Sequence, residues 1–174
     1  MQPVAPGGVS QRRAEESRKG GEMIELPDYR FEEQVYASAA TVVSRAKRAR
    51  DGLRVVVKQP RDECPRREAI ERLRREFAIL ERLRIPQVAR AISLEPVGSS
   101  IALVLEDSDG EPVDAAAQRP GFDSTQLVRV ALAISRAVHA IHEKGVIHKD
   151  LKPAHMLLEP SGAVTASCTS PQPR

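Results

Sequence analysis

Between Pro27 and Pro160 the spacing of apolar positions alternates between the two-residue period of strands and the longer period of helices. Tyr29 to Tyr36 and Thr41 to Arg45 carry β-branched and aromatic residues on either side of the small-residue run Ala37 to Ala40, which predicts a hairpin. A third strand is predicted at Leu53 to Lys58, apolar and β-branched after the Asp51-Gly52 turn signal. Arg66 to Arg84 then takes helical spacing, with Pro65 as a first-turn proline and Pro86 as the stop. Two further strands are predicted at Ala89 to Pro96 and Ile101 to Glu106, separated by the turn Val97 to Ser100. After a loop spanning Asp107 to Gly110, a short helix is predicted at Pro112 to Gln118 and a long one at Thr125 to Lys144. The long helix places Leu127, Val130, Ala131, Ile134, Val138 and Ile141 on one face, with Asp123 or Ser124 as the start cap and Gly145 as the stop.

The flanks differ from this middle. Met1 to Leu26 has few large apolar residues and reads as a disordered leader, and Ser161 to Arg174, small and polar with prolines, reads as a disordered tail. No run approaches the 18 apolar residues of a membrane span, and Met1 to Gly21 has no apolar signal segment, so the reading is a cytoplasmic protein. Cys64 and Cys168 lie far apart without metal-ligand spacing, which excludes a disulfide framework and a zinc site. Net charge is +3, but Arg45 to Arg90 alone holds 15 Lys and Arg against 7 Asp and Glu. Such an excess raises a nucleic-acid partner, which an aromatic content of 3% without tryptophan disfavours, since stacking platforms are lacking.

The chemistry concentrates in the segment directly after Gly145, VIHKDLKP at 146 to 153. It resembles the catalytic loop of eukaryotic-type serine/threonine protein kinases. The flanking order agrees: Lys58 ends a third strand in VVVK, Glu76 follows in the helix segment RREFAIL, and 92 positions separate Lys58 from Asp150. More narrowly, the chain is similar to the bacterial kinase domain at the head of multidomain sensor proteins, where HKDLKP recurs. The resemblance implies an α+β fold with a five-stranded antiparallel small lobe carrying one helix at 27–106, and a partial helical large lobe at 107–160. It also implies ATP as ligand, Mg²⁺ as cofactor and a protein hydroxyl as phosphate acceptor, the acceptor itself being unknown. Lys58 and Glu76 would form the ion pair that holds phosphates, Asp150 would orient and deprotonate the substrate hydroxyl, and Lys152 would stand beside the transferred phosphate. At about 100° per residue, Glu76 projects at the flank of the stripe Ile70, Leu73, Phe77 and Leu80, so it faces inward; the competing reading is an exposed pair with Arg72. His148 would be a scaffold residue, and Leu105, Glu106 and Asp107 would lie at the adenine-binding hinge. Val43 and Ala46, or Val56, would line the adenine pocket.

Departures from the family pattern set further expectations. The glycine-rich loop aligns with Tyr36, Ser38, Thr41 and Val43, so its three glycines are missing, and the hydroxyls of Ser38 and Thr41 would substitute as donors to phosphate. Lys149 replaces the usual arginine of the loop, a point charge in place of a fork. His155 occupies the position of a metal-binding asparagine, and, counted from the strand that the resemblance puts at Ala163 to Ser167, the DFG positions fall on Cys168, Thr169 and Ser170, none of which supplies a carboxylate. The metal site is therefore expected to be impaired, the chain to be a truncated form with little turnover, and the apolar face of the long helix to lack its cover. The alternative is a pseudokinase or interaction module without catalysis, docking a partner through its arginine-rich helix or exposed helix face.

Overall fold

The computed structural model describes residues 26–147 and 151–166. Five strands form one antiparallel sheet: β1 (Tyr29–Ala37), β2 (Thr41–Arg48), β3 (Arg54–Pro60), β4 (Ala91–Val97) and β5 (Ser100–Glu106), in the order β1-β2-β3-β5-β4. Between β3 and β4 runs helix α1 (Arg67–Leu83). Strand β6 (Glu111–Pro112), the single-turn helix α2 (Val113–Ala116) and the long helix α3 (Ser124–Glu143) follow. A 3-10 turn (Pro153–His155) leads into β7 (Met156–Leu158) and β8 (Val164–Ala166), which join β6 in a second, three-stranded sheet. The α+β class and the five-stranded small lobe read from the sequence are therefore present, with part of a helical large lobe beneath it.

Strand alternation divides the small-lobe sheet into two faces. Val55 and Val57 of β3, Ala102 and Val104 of β5 and Ala46 of β2 pack on one side with Leu26 and Tyr29. Leu103 and Leu105 of β5 face the other way and join α1 through Leu73, Leu80 and Leu83, and α3 through Val130, Ala137 and Ile141. This second cluster runs through both lobes without a break. Its seam is also hydrogen-bonded, because Ala166 of β8 donates to the Gln87 carbonyl at 2.8 Å and accepts from Ala89 at 3.1 Å.

Several sequence expectations shift. Leu26, read as the end of the leader, is buried beside Tyr29, because an apolar side chain at the sheet edge packs whatever the composition before it. Strand β8 lies inside the segment read as tail from Ser161, where three residues are too few to carry a period, and it falls within Ala163 to Ser167, where the resemblance put a strand. Pro65 stands before the N-cap Arg66 rather than in the first turn. On α3 the start cap is Asp123, in a full capping box with Gln126: its carboxylate accepts the Gln126 N–H at 2.8 Å and its own N–H donates to Gln126 Oε1 at 3.1 Å. The face read on α3 is covered only in part: Val130 and Ile141 are buried, as is the neighbouring Ala137, Ile134 and Val138 are half-buried, and Ala131 is exposed. Leu127, assigned to that face, is 57% exposed and lies with Val128 and Leu132 on the outer flank.

Candidate active site

Lys58 and Glu76 meet in the interior. In β3, Val56 and Lys58 alternate away from the face that buries Val55 and Val57, so the lysine stem turns toward α1. On α1 the buried positions are Leu73, Glu76, Leu80 and Leu83, spaced three or four apart, which puts the one carboxylate of this face against the sheet. The Lys58 ammonium donates to both oxygens of Glu76 at 2.8 Å. The two residues are only 4% and 1% exposed. The alternative pairing of Glu76 with Arg72 on an exposed face does not occur.

Around this pair the β2-β3-β5 register sets the neighbours. Val43 on β2 and Leu103 on β5 both stand opposite Lys58. Val43 and Val56 are half-buried and share the side of the sheet that carries Lys58. Ala46, grouped with Val43 from the sequence, is instead one of the buried residues of the opposite face, where it packs with Tyr29 and Val55; the one-residue alternation of a strand excludes it from the same surface as Val43.

The β1-β2 turn is held without glycine. Ser38 Oγ accepts the Thr41 N–H at 3.1 Å and the Ala40 N–H at 3.3 Å, while its own hydroxyl points at the Thr41 carbonyl 3.4 Å away. The Ser38 backbone N–H donates to the same carbonyl at 2.9 Å. Arg61, just beyond β3, donates from its guanidinium to the Ser38 carbonyl at 3.1 Å and from its backbone to Ala40. The Ser38 hydroxyl is thus engaged by its own turn, and Thr41 is half-buried at the start of β2.

At the far end of β5, Glu106 is exposed and its N–H donates to the Arg90 carbonyl at 2.9 Å. The next side chain, Asp107, is 4% exposed and lies between two guanidinium groups, Arg54 at 3.0 Å and Arg45 at 3.3 Å. The Arg45 contact is an ion pair without hydrogen-bond alignment, so its Nε is a buried donor lacking a hydrogen-bond acceptor there. Arg45 also reaches Glu33 at 2.6 Å, and that hydrogen bond, with the nearby Asp107 charge, holds its pKa above the ordinary arginine value against the opposing effect of burial. Arg54 is raised by the charges of Asp107 and Asp109. This five-residue network of Glu33, Arg45, Arg54, Asp107 and Asp109 was not anticipated from the sequence; its contacts to Asp107 and Asp109 join residues more than fifty positions apart, which leave no periodic trace.

The remaining candidates lie after α3. Lys152 is exposed and extended, and its carbonyl accepts the His155 N–H at 2.9 Å to close the 3-10 turn; His155 is half-buried. Asp150, His148 and Lys149 lie outside the described residues, as do Cys168, Thr169 and Ser170. Two surface cavities, of about 720 and 660 Å³, are present: one is lined by β6, the start of α3 and the β7-β8 turn, the other by the end of α1, the segment 84–91 and the hinge candidates Glu106 and Asp107. No helix among the described residues is long and apolar enough to cross a membrane.

The protein kinase domain family model matches residues 29–166. Among individual proteins, the chain is 30% identical over 130 residues to "CBL-interacting protein kinase 9" of Oryza sativa subsp. japonica, covering 74% of this chain and 28% of that protein. "CBL-interacting serine/threonine-protein kinase 9" of Arabidopsis thaliana is 30% identical over 108 residues, 62% of this chain and 24% of its own length. The bacterial "Serine/threonine-protein kinase PkaA" of Streptomyces coelicolor is 32% identical over 96 residues, 55% of this chain and 18% of its own. The chain spans about a quarter of the length of the first two relatives and less of the third.

Proposed function

This chain belongs to the protein kinase domain family, and we propose that it is a serine/threonine-type member, of the bacterial sensor-protein branch, that binds ATP at Lys58 and retains little phosphotransfer of its own. The observation that carries the reading is the buried Lys58-Glu76 pair, with the ammonium 2.8 Å from both carboxylate oxygens. An unpaired lysine would swing; this one is oriented, on the same side of the sheet as Val43 and Val56, which supply apolar walls of the kind a base requires. Lys58, Val43 and Val56 suit ATP, a cation for the α- and β-phosphates and apolar surface for adenine; at the hinge expected over Leu105, Glu106 and Asp107, the N–H groups of Glu106 and Asp107 are engaged by the Arg90 and Arg54 carbonyls and do not serve its edge as they stand. Ser38 acts here as a turn former, and Thr41 would stand at the phosphate end of the hairpin.

In this reading Asp150 orients the attacking hydroxyl and takes its proton, and Lys152 neutralises charge on the transferring group. The fit to Mg²⁺ is poor. Magnesium prefers oxygen ligands, and His155 offers a nitrogen where the family has an asparagine oxygen. No step is therefore derived through the metal, and slow transfer is the expected consequence. The same replacements favour a second reading, a pseudokinase that binds nucleotide or a partner without turnover.

A thermal-shift titration tests binding, since a ligand selective for the folded state raises the melting temperature. ATP, with and without Mg²⁺, is expected to raise it in the parent and not in Lys58→Met; equal silence of parent and variant would refute nucleotide binding. Transfer from labelled ATP to a basic protein substrate, measured against Asp150→Asn, separates a slow kinase from a pseudokinase.

A further inference from the structure

The β1-β2 ladder breaks register near its tip, and the break decides where Tyr36 stands. Glu33 pairs with Arg45 and Gln34 with Ser44, but the next pair is Tyr36 with Val43, which leaves Val35 as the extra residue of a β-bulge. In an unbroken strand Val35 would pair with Val43, and Tyr36 would return to the side of Gln34. That side belongs to Ser44 and Val57, on the face opposite Lys58. The bulge instead sets Tyr36 beside Val43, which stands opposite Lys58. Re-aiming a side chain is what such an insertion does to a strand.

Tyr36, Val43, Lys58 and Leu103 therefore form one row across β1, β2, β3 and β5. Neighbouring strands lie about 4.8 Å apart, so Tyr36 and Lys58 stand about 10 Å from each other across β2, on one face. Tyr36 is 53% exposed, and its hydroxyl has no hydrogen-bond partner among the described residues, whereas that of Tyr29 donates to Glu95 at 3.3 Å. The main-chain donors of the adjoining turn are mostly spent. The Ser38 N–H serves the Thr41 carbonyl, and the Ala40 and Thr41 N–H groups serve Ser38 Oγ, which leaves the Ala39 N–H.

We infer that Tyr36 contacts the nucleotide directly, its phenol hydroxyl donating to an oxygen of the phosphate chain held by Lys58. The inference rests on ATP binding at Lys58. A phosphate oxygen carries charge, and a hydrogen bond to a charged acceptor is shorter and stronger than one between neutral groups. The side chain thus supplies a donor where the turn has consumed its amides. Thr41 lies two positions from Val43 along β2, on the same face, and its hydroxyl adds to that of Tyr36. Stacking of the Tyr36 ring on adenine fits less well. Val56, the wall for the base, belongs to the neighbouring row with Arg45 and Leu105, nearer the hinge, while Tyr36 shares the row of the cation.

Calorimetric titration of the parent, Tyr36→Phe and Tyr29→Phe with ATP tests this. Tyr36→Phe keeps the ring, removes one oxygen from an exposed position, and is expected to leave the melting temperature without ligand unchanged. It is expected to weaken ATP binding by about fivefold or more, as one hydrogen bond to a charged acceptor at a half-open site warrants. Tyr29→Phe, altering the tyrosine on the opposite face, is expected to change the affinity by less than about twofold. Adenosine, which has no phosphate, is expected to give the same result with the parent and with Tyr36→Phe. A smaller loss of ATP affinity in Tyr36→Phe, an equal loss in Tyr29→Phe, or a weakened adenosine complex would overturn the assignment while leaving ATP binding at Lys58 intact. A parent that binds no ATP would overturn that binding as well.

Discussion

Removing one member of the Lys58-Glu76 pair leaves an ion with its principal partner gone in a place water scarcely reaches. At 2.8 Å, and with an effective dielectric near 20, two unit charges attract by about 6 kcal/mol. Desolvation of both ions offsets much of that, so the pair adds little over an apolar filling, but breaking it from one side costs about 3–5 kcal/mol. Glu76→Gln keeps the volume and removes the charge; it is expected to destabilise the protein by about 3 kcal/mol, as is Lys58→Met. In a chain of this size that corresponds to a fall of roughly 10 °C in melting temperature. The double change Lys58→Met with Glu76→Leu removes both charges and is expected within about 1 kcal/mol of the parent, a large coupling energy. Urea denaturation of the four proteins, with slopes compared to exclude changes in the unfolded state, measures this directly. Single changes that each cost under about 1 kcal/mol and add in the double would refute the buried-pair reasoning.

Two further outcomes follow from local geometry. A methyl group on Gly110 would stand 2.9 Å from Leu157 Cβ and 3.2 Å from Ser108 Oγ, so Gly110→Ala forces β7 outward and is expected to lower the urea midpoint by the equivalent of about 1–3 kcal/mol; an unchanged midpoint would show that the gap is wider. The Arg48 guanidinium, with help from the Leu53 N–H, holds the Asp51 carboxyl down to about 2 from an ordinary 3.8. A lowered folded-state value means that its contribution is present above the unfolded value and disappears as pH falls toward 2. Melting curves of the parent and Asp51→Asn should therefore converge between about pH 4 and pH 2, modestly because the site is exposed; parallel curves would exclude the linkage.

Much of the small lobe was legible because its elements are long enough to repeat a period. The run Arg54 to Lys58 and the stripe Leu73, Leu80 and Leu83 each combine propensity with spacing, and the structure moves their ends by one or two residues. Glu76 was legible for two reasons that agree, its place in the motif order and its angle on the helix. What escaped was short or distant. Strands β6 and β7 have two or three residues each and owe their existence to pairing with one another and with β8, which only the family resemblance placed and which bonds through Ala166 to the segment 87–89. Leu127 misled because α3 has apolar residues on more than one flank, so period alone could not choose the covered one. The Asp107 network joins β2, β3 and the segment after β5, contacts that only the folded sheet creates.

That network relocates the fulcrum between the two lobes. Backbone hydrogen bonds from Glu106 to Arg90 and from Asp107 to Arg54, together with the two guanidinium groups on the Asp107 carboxylate, make these residues travel with the upper sheet. Gly110 is pressed against Leu157 of the lower one. In the covalent connection through 107–110 the turn between these two anchors is Ser108 and Asp109, and Arg54 also grips Asp109. Opening therefore stretches an exposed charge contact, so its amplitude should widen with ionic strength, an electrostatic brake rather than a free swivel.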